Sequence, residues 1–217
     1  MKVTTDAMVF GALVPGHQAR HVLDIGTGTG LLALMLAQRM EAKIDAIEID
    51  ADAAQQAVEN FEASPWATRL QVHPTALQYF TPAQAYDLMV CNPPFFANQL
   101  ASPEARKRTA RHQGALTSTE LLTFMKEHLN PTGQGWIILP PEEALEATAL
   151  AKGLGLHPHT AFTFHSYPDK PAHRHILSIG HHQPQKESVQ PVIFYTDQQR
   201  TLTPQATELL LPYYLHL

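Results

Sequence analysis

The chain has 217 residues, of which 44% are hydrophobic, and a formal net charge of -5. This length can bury one sizeable core, so we expect a single domain over residues 1–217. A single cysteine excludes an intramolecular disulfide, and no signal-like N-terminus or bilayer-length apolar stretch is present, so a cytoplasmic protein without a membrane partner is expected. The acidic balance argues against indiscriminate binding of polyanions.

Short β-rich runs alternate along the chain with segments of helical length and composition. The β-rich runs are 21–25, 42–49, 69–73, 86–91 and 135–140. The helical segments are 31–40, 51–63, 118–129 and 141–153. Because the runs are apolar throughout, as in strands covered on both faces, the alternation predicts an α/β, Rossmann-like, doubly wound fold. We expect a mostly parallel seven-stranded sheet with helices on both faces.

The pattern changes near residue 155. The segments "HPHTAFTFHSYP" and "HRHILSIGHH" are strand-like and have no helix between them, which predicts a C-terminal antiparallel hairpin. The polar and then aromatic tail, residues 184–217, is expected to wrap the domain.

A glycine-rich turn follows the first predicted strand, in the sequence "DIGTGTG" from Asp24 to Gly30. Ligands of open parallel sheets bind beyond the carboxyl ends of the strands, and glycines allow a ligand to approach the backbone there. The spacing differs from the G-x-G-x-x-G pattern that binds a pyrophosphate. A carboxylate in this turn would repel a pyrophosphate but can accept hydrogen bonds from an ammonium group.

An acidic side chain, Glu48, stands at the end of the second predicted strand. An acid at this point of a nucleotide-binding fold can accept hydrogen bonds from both hydroxyls of a ribose. Turn and acid together indicate a ligand with a ribose and an amino acid but no phosphate, which is S-adenosylmethionine. The alternative is a structural turn followed by a solvated acid.

The fourth predicted strand ends in "CNPPFF", where Asn92, Pro93, Pro94 and Phe95 follow the strand directly. The prolines fix the backbone and supply no N–H, which leaves the loop carbonyls for a ligand. Asn92 adds an acceptor oxygen, and Phe95 offers a flat face for a base or an amide plane. The Asn92 oxygen and the Pro93 carbonyl can therefore hold an NH2 group, so that its lone pair points at the methyl of the cofactor.

With this loop the sequence resembles the class I S-adenosylmethionine-dependent methyltransferases of the N-P-P-[YF] type, which methylate amino groups. The segments "MKVTTDAMVFGALV", "SPWATRLQVH", "CNPPFFANQL" and "RKRTARHQGALTSTELL" are similar to the bacterial tRNA1(Val) adenine-37 N6-methyltransferase family. The resemblance covers nearly the whole chain. It implies methyl transfer to N6 of an adenine in a tRNA anticodon loop.

The resemblance also implies roles for individual residues. The catalytic residues would be Asn92, Pro93, Pro94 and Phe95. The cofactor would be bound by Lys2, Thr5, Asp6, Asp24, Gly26, Thr27, Gly28, Gly30, Glu48, Ile49, Ala76, Leu77 and Asn92. Residues 1–20 would form a segment that covers the cofactor. The acid that often holds the cofactor's adenine is replaced by Thr75 and Ala76, so backbone groups and Leu77 are expected there.

A basic cluster follows the N-P-P-F loop. The residues expected to contact the RNA substrate are Phe96, Arg106, Lys107, Arg108, Arg111 and His112. Composition alone favours a solvated linker, but the position beside the catalytic loop favours contacts with an RNA backbone. No metal is expected, because the histidines after residue 155 follow strand alternation rather than zinc-ligand spacing. Cys91 is expected to pack in the core rather than to act as a nucleophile.

Other functions remain open. One alternative is methylation of a glutamine side-chain amide in a translation release factor, which uses the same N-P-P-[YF] chemistry. Guanine-N2 methylation of ribosomal RNA is a second alternative, although a histidine typically follows that loop and Phe96 stands here. A scaffold that binds cofactor or RNA without turnover is a third. The sequence does not fix the oligomeric state, and a monomer is slightly favoured.

Overall fold

A computed structural model of the chain describes residues 4–15, 18–93, 116–183 and 188–214. The helices are α1 (Thr5–Leu13), α2 (Leu31–Arg39), α3 (Ala51–Glu62), α4 (Ser118–His128), α5 (Pro141–Gly153) and α6 (Pro204–Leu210). The strands are β1 (His21–Ile25), β2 (Lys43–Glu48), β3 (Leu70–Pro74), β4 (Tyr86–Cys91), β5 (Leu129–Leu139), β6 (His157–His165), β7 (Arg174–Gly180) and β8 (Gln190–Ile193).

One sheet runs through the described residues in the order β3-β2-β1-β4-β5-β7-β6-β8. Strands β1 to β5 are parallel, and β7 pairs antiparallel with both β5 and β6. The α/β fold and the C-terminal hairpin are therefore confirmed. The strand order reverses between β1 and β4, which is where open α/β sheets bind their ligands.

Helices cover both faces of the sheet, as the apolar strands predict. One core contains Leu122 and Met125 of α4 with Ala147 of α5, and the opposite core contains Leu36 of α2 with Phe61 of α3. Burial of apolar surface on these two faces stabilises the fold by about 25 cal/mol for each Å² removed from water. The packed sheet in turn holds the strand ends in fixed positions.

The number of strands corrects the expectation from the sequence, because the sheet has eight strands within the described ranges rather than seven. The additional strand, β8, lies in the tail and pairs parallel with β6. Beyond it, α6 contributes Ala206 and Leu210 to a third core with Met8 and Val9 of α1. The tail thus packs against the N-terminal helix. None of the helices in the described ranges is long and apolar enough to cross a membrane.

Candidate active site

The glycine-rich turn after β1 has the backbone that its sequence requires. Gly26, Gly28 and Gly30 have positive φ values of 71°, 59° and 89°. A Cβ atom added at Gly26 would meet nothing within 4 Å, whereas one added at Gly30 would lie 2.5 Å from Cε1 of Phe61. Gly26 therefore leaves open space on the ligand side, and Gly30 lets α3 pack against the turn.

Hydrogen bonds from neighbouring elements fix the turn. The amides of Gly26 and Thr27 both donate to the carbonyl of Ile47 on β2, at 2.9 and 3.0 Å. The side-chain amide of Asn60 on α3 donates to the carbonyl of Thr29 at 2.8 Å. Sequence reasoning missed Asn60, because no local signal marks a residue that reaches back 31 positions along the chain.

Asp24 lies fully buried at the end of β1. Its Oδ2 accepts hydrogen bonds from the Thr27 hydroxyl at 2.6 Å and from the Ala33 amide at 3.2 Å. Its Oδ1 is buried and has no hydrogen-bond partner among the described residues. An unpartnered carboxylate oxygen at this point is suited to a cationic ligand group.

Burial raises the pKa of the Asp24 carboxyl to about 7, although hydrogen bonds from Thr27 and Ala33 lower it, and the nearby Glu48 carboxylate raises it further. The folded protein therefore holds an extra proton between about pH 4 and pH 7. Relative to Asp24→Asn, we expect the free energy of unfolding to fall as pH rises through this window, by roughly 4 kcal/mol at most, and to stay level above it.

Denaturant titrations of the ligand-free wild type and Asp24→Asn between pH 4 and 8 measure this difference. Parallel stability curves for the two proteins would show that the Asp24 carboxyl titrates normally.

Glu48, at the end of β2, is 9% exposed and faces the turn. Its Oε2 accepts from the Gly28 amide at 2.8 Å, and its Oε1 accepts from the Asp50 amide at 2.9 Å. Each carboxylate oxygen keeps further acceptor capacity for a ligand hydroxyl. Glu48 is therefore tied to the glycine turn instead of being a solvated acid.

Three residues predicted to bind the cofactor follow the ends of β2 and β3, where Glu48 pairs with Pro74. Ile49 is 57% exposed, which is unusual for a large aliphatic side chain. Ala76 is half-buried and precedes a short 3-10 helix, Leu77–Tyr79, whose first residue is buried in the core. An exposed apolar side chain such as that of Ile49 is suited to contact with a flat ring.

Asn92 and Pro93 follow β4 directly, beside the glycine turn, because Cys91 pairs with Ile25 in the sheet. Pro93 is buried and Asn92 is half-buried. The Oδ1 atom of Asn92 is itself buried and has no hydrogen-bond partner among the described residues. A buried acceptor without a donor costs about 1 to 3 kcal/mol, and such an atom is expected where a ligand supplies the donor.

The N-terminal residues predicted to cover the cofactor are placed near the hairpin. Thr5 is exposed, and Asp6 forms an ion pair with Nε of Arg174 at 2.8 Å, while its Oδ1 lies 3.5 Å from Nε2 of His173. Burial alone would raise the pKa of Asp6, but the His173 hydrogen bond and the Arg174 charge hold it below the ordinary value. These contacts attach the first turn of α1 to the start of β7.

Several predicted site residues lie outside the described residues. These are Lys2, Pro94, Phe95, Phe96, Arg106, Lys107, Arg108, Arg111 and His112. Their roles stay predictions.

Cys91 is buried, and burial, followed by the nearby Asp24 carboxylate, raises the pKa of its thiol far above the ordinary value. Such a thiol is a poor nucleophile. Among the described residues, no group of three or more histidine, cysteine, aspartate or glutamate side chains is arranged to hold a metal ion.

The model of the family described as "Methyltransferase small domain" matches residues 5–157, which include the glycine turn, Glu48 and Asn92. The chain belongs to this family. A tRNA1(Val) (adenine(37)-N6)-methyltransferase from Pedobacter heparinus is 41% identical over 182 residues, 83% of this chain and 78% of that protein. A protein of the same name from Yersinia pestis is 37% identical over 100% of this chain and 88% of its own length. The chain therefore lies among the tRNA1(Val) (adenine(37)-N6)-methyltransferases of this family.

A solved structure from Agrobacterium tumefaciens, described as a predicted O-methyltransferase, has the same fold with a TM-score of 0.72. It is 19% identical, and the match covers 94% of this chain and 95% of that one. At this identity the likeness concerns the fold, and it supports the Rossmann-like architecture expected from the sequence.

Proposed function

We propose that this protein transfers a methyl group from S-adenosylmethionine to the exocyclic N6 of adenine 37 in a tRNA, as the names of its relatives state for them. The observation that carries the proposal is the buried Oδ1 of Asn92, which has no partner among the described residues. It lies beside the glycine turn, where the strand order reverses between β1 and β4. We infer that the chain acts in the cytoplasm as a single domain.

The residues around the turn fit the proposed cofactor. The unpartnered Oδ1 of Asp24 and the open space beside Gly26 suit the ammonium end of its amino acid. The Glu48 carboxylate would accept hydrogen bonds from the ribose hydroxyls, and Ile49 and Leu77 would flank the adenine. Thr27, Gly28 and Gly30 shape the turn, and Lys2, Thr5 and Asp6 would cover the ligand. When bound, S-adenosylmethionine supplies an electrophilic methyl group on a sulfonium.

The chain's part in the reaction is to position the target amine. The Asn92 oxygen would accept one N–H of the amine, and the Pro93 carbonyl would accept the other. These two bonds point the nitrogen lone pair towards the methyl group and strengthen as positive charge develops on nitrogen. The methylated nitrogen then loses a proton to water, so the chain needs no strong base. Phe95 would stack on the adenine, and the basic residues from Arg106 to His112 would contact the RNA backbone.

A methyl-labelled cofactor tests the proposal on three substrates: total tRNA lacking the modification, ribosomal RNA and a translation release factor. We expect the label in N6-methyladenosine from tRNA, identified by mass spectrometry of the nucleosides. The amine-holding geometry of Asn92 would also serve a glutamine amide. Label in the release factor, or in N2-methylguanosine of ribosomal RNA, would therefore replace the proposal by one of those activities.

A further inference from the structure

The turn of the C-terminal hairpin lies on the same edge of the sheet as Asn92, namely the edge formed by the carboxyl ends of the parallel strands. Cys91 at the end of β4 pairs with Ile137 on β5, and Leu139 at the end of β5 pairs with His175 at the start of β7. Residues 166–173, which connect β6 to β7, therefore project from the edge that carries the candidate active site. The end of β8 reaches this edge too, because His165 pairs with Ile193.

Two tyrosines form an aromatic pair at this turn. The rings of Tyr167 and Tyr195 have centroids 5.6 Å apart and an interplanar angle of 35°. Backbone hydrogen bonds hold both residues: the Tyr195 amide donates to the carbonyl of Ser166 at 3.0 Å, and the Lys170 amide donates to the carbonyl of Tyr167 at 3.2 Å. Both side chains are partly exposed. The pair is thus fixed in position and still presents aromatic surface to a ligand.

An exposed positive charge belongs to the same turn as the aromatic pair. The Lys170 side chain is 60% exposed, and its ammonium lies 3.6 Å from the carboxylate of its neighbour Asp169, which is 75% exposed. An ion pair this exposed contributes little and can be exchanged for another anion. In addition, Nδ1 of His165 lies 2.9 Å from the Lys170 carbonyl, which fixes the backbone of the turn without using the ammonium.

Aromatic faces that share a turn with an exposed ammonium are a combination suited to single-stranded nucleic acid, through stacking of bases and contact with phosphates. We infer that Tyr167, Lys170 and Tyr195, called here the hairpin-turn surface, bind the loop nucleotides that flank the target adenine. This inference rests on the proposed function. β6 is three strands from β4, which at 4.7 to 4.9 Å per strand gives about 14 Å, a distance that a few nucleotides of a splayed loop can cover.

Two substitutions test the surface, with kinetics on tRNA measured beside affinity for S-adenosylmethionine. Tyr167→Ala should raise KM for tRNA roughly five- to a hundredfold, the loss expected for one stacked base, whereas Tyr167→Phe should behave nearly as wild type. Lys170→Glu should weaken tRNA binding and reduce its dependence on salt concentration. Affinity for the cofactor should stay unchanged in all three variants, which shows that they fold.

Matched controls come from the far side of the molecule. Tyr214 is 43% exposed and lies two residues after Pro212, whose carbonyl accepts a hydrogen bond from Gln38 near the end of α2. Lys152 is exposed in the last turn of α5. Tyr214→Ala and Lys152→Glu should leave both KM for tRNA and the salt dependence at the wild-type values.

The outcomes separate the two proposals. If the wild type methylates tRNA and the variants at Tyr167 and Lys170 have wild-type KM and salt dependence, the hairpin-turn surface is not an RNA site, and the proposed function stands. If Tyr214→Ala raises KM for tRNA as much as Tyr167→Ala, and Lys152→Glu weakens tRNA binding as much as Lys170→Glu, the effect is not specific to the turn. The inference then fails too. If the wild type does not methylate tRNA, the proposed function fails and the inference fails with it.

Discussion

Replacing Asn92 with alanine is expected to cut the rate of methyl transfer to tRNA by two or more orders of magnitude. The buried Oδ1 of Asn92 has no donor among the described residues, so it can accept a hydrogen bond from the target amine. That bond strengthens as charge develops on nitrogen, and loss of one preorganised polar contact of this kind typically costs about 10²- to 10³-fold in kcat. Single-turnover rates at saturating tRNA and cofactor measure the effect.

Asn92→Asp is the control, because it keeps an acceptor of nearly the same shape and adds a charge that stabilises a cationic amine. We expect it to retain partial activity. Affinity for S-adenosylmethionine, measured by calorimetry, should change little in either variant, since the glycine turn and Glu48 are unaltered. An alanine variant as fast as wild type would remove the N-P-P-F loop from catalysis and with it the interpretation of this protein as an amino-methyltransferase.

Replacing Gly30 with alanine is expected to destabilise the protein by about 3 kcal/mol and to weaken cofactor binding. The φ of 89° costs a residue with a Cβ about 1 to 2 kcal/mol, and a Cβ 2.5 Å from the Phe61 ring adds an overpacking cost of about 1 to 3 kcal/mol. Phe61 is buried in the core, so the ring can move only by disturbing its neighbours or the turn. Chemical denaturation gives the stability, and calorimetry gives the cofactor affinity.

Gly155→Ala provides a matched control. Gly155 has a similar φ of 80°, but an added Cβ would meet nothing within 4 Å, and the residue follows α5 at the end of the sheet away from the turn. We expect Gly155→Ala to lose only the stability that its positive φ costs, about 1 to 2 kcal/mol, and to keep the wild-type cofactor affinity. Equal destabilisation of the two variants would mean that Phe61 yields without cost and that packing against α3 does not shape the turn.

Much of the parallel sheet could be predicted from local sequence. The runs "HVLDI" and "YDLMVC" match β1 and β4 residue for residue, because strands covered on both faces are mainly apolar. β5 begins at Leu129, six residues before the predicted start, and its register shifts between Tyr86 and Leu88 of the neighbouring strand. A stretch containing Asn130 and Pro131 has no strand-like composition, and only its partner strand makes it extended.

The tail could not be predicted in the same way. β8 has four residues, includes Pro191 and follows a polar stretch, so its own sequence gives little strand signal. It becomes a strand because β6 offers an unpaired edge and because Val192 fits a core with Phe164 and Met8. Pairing of this kind depends on a partner far away in the chain.

For the site, the sequence determined the chemistry: an acid and glycines after β1, an acid at the end of β2, and an amide with prolines after β4. These groups stand next to turns and strand ends that local sequence specifies. The tertiary structure decided which of their atoms already have hydrogen-bond partners within the protein. Glu48 holds the Gly28 amide, while Oδ1 of Asp24 and Oδ1 of Asn92 have no described partner. It also brought Tyr167 to the edge that carries Asn92. The physical reason is that burial and strand order set hydrogen-bond partners and neighbours between residues far apart in the chain, which no local pattern records.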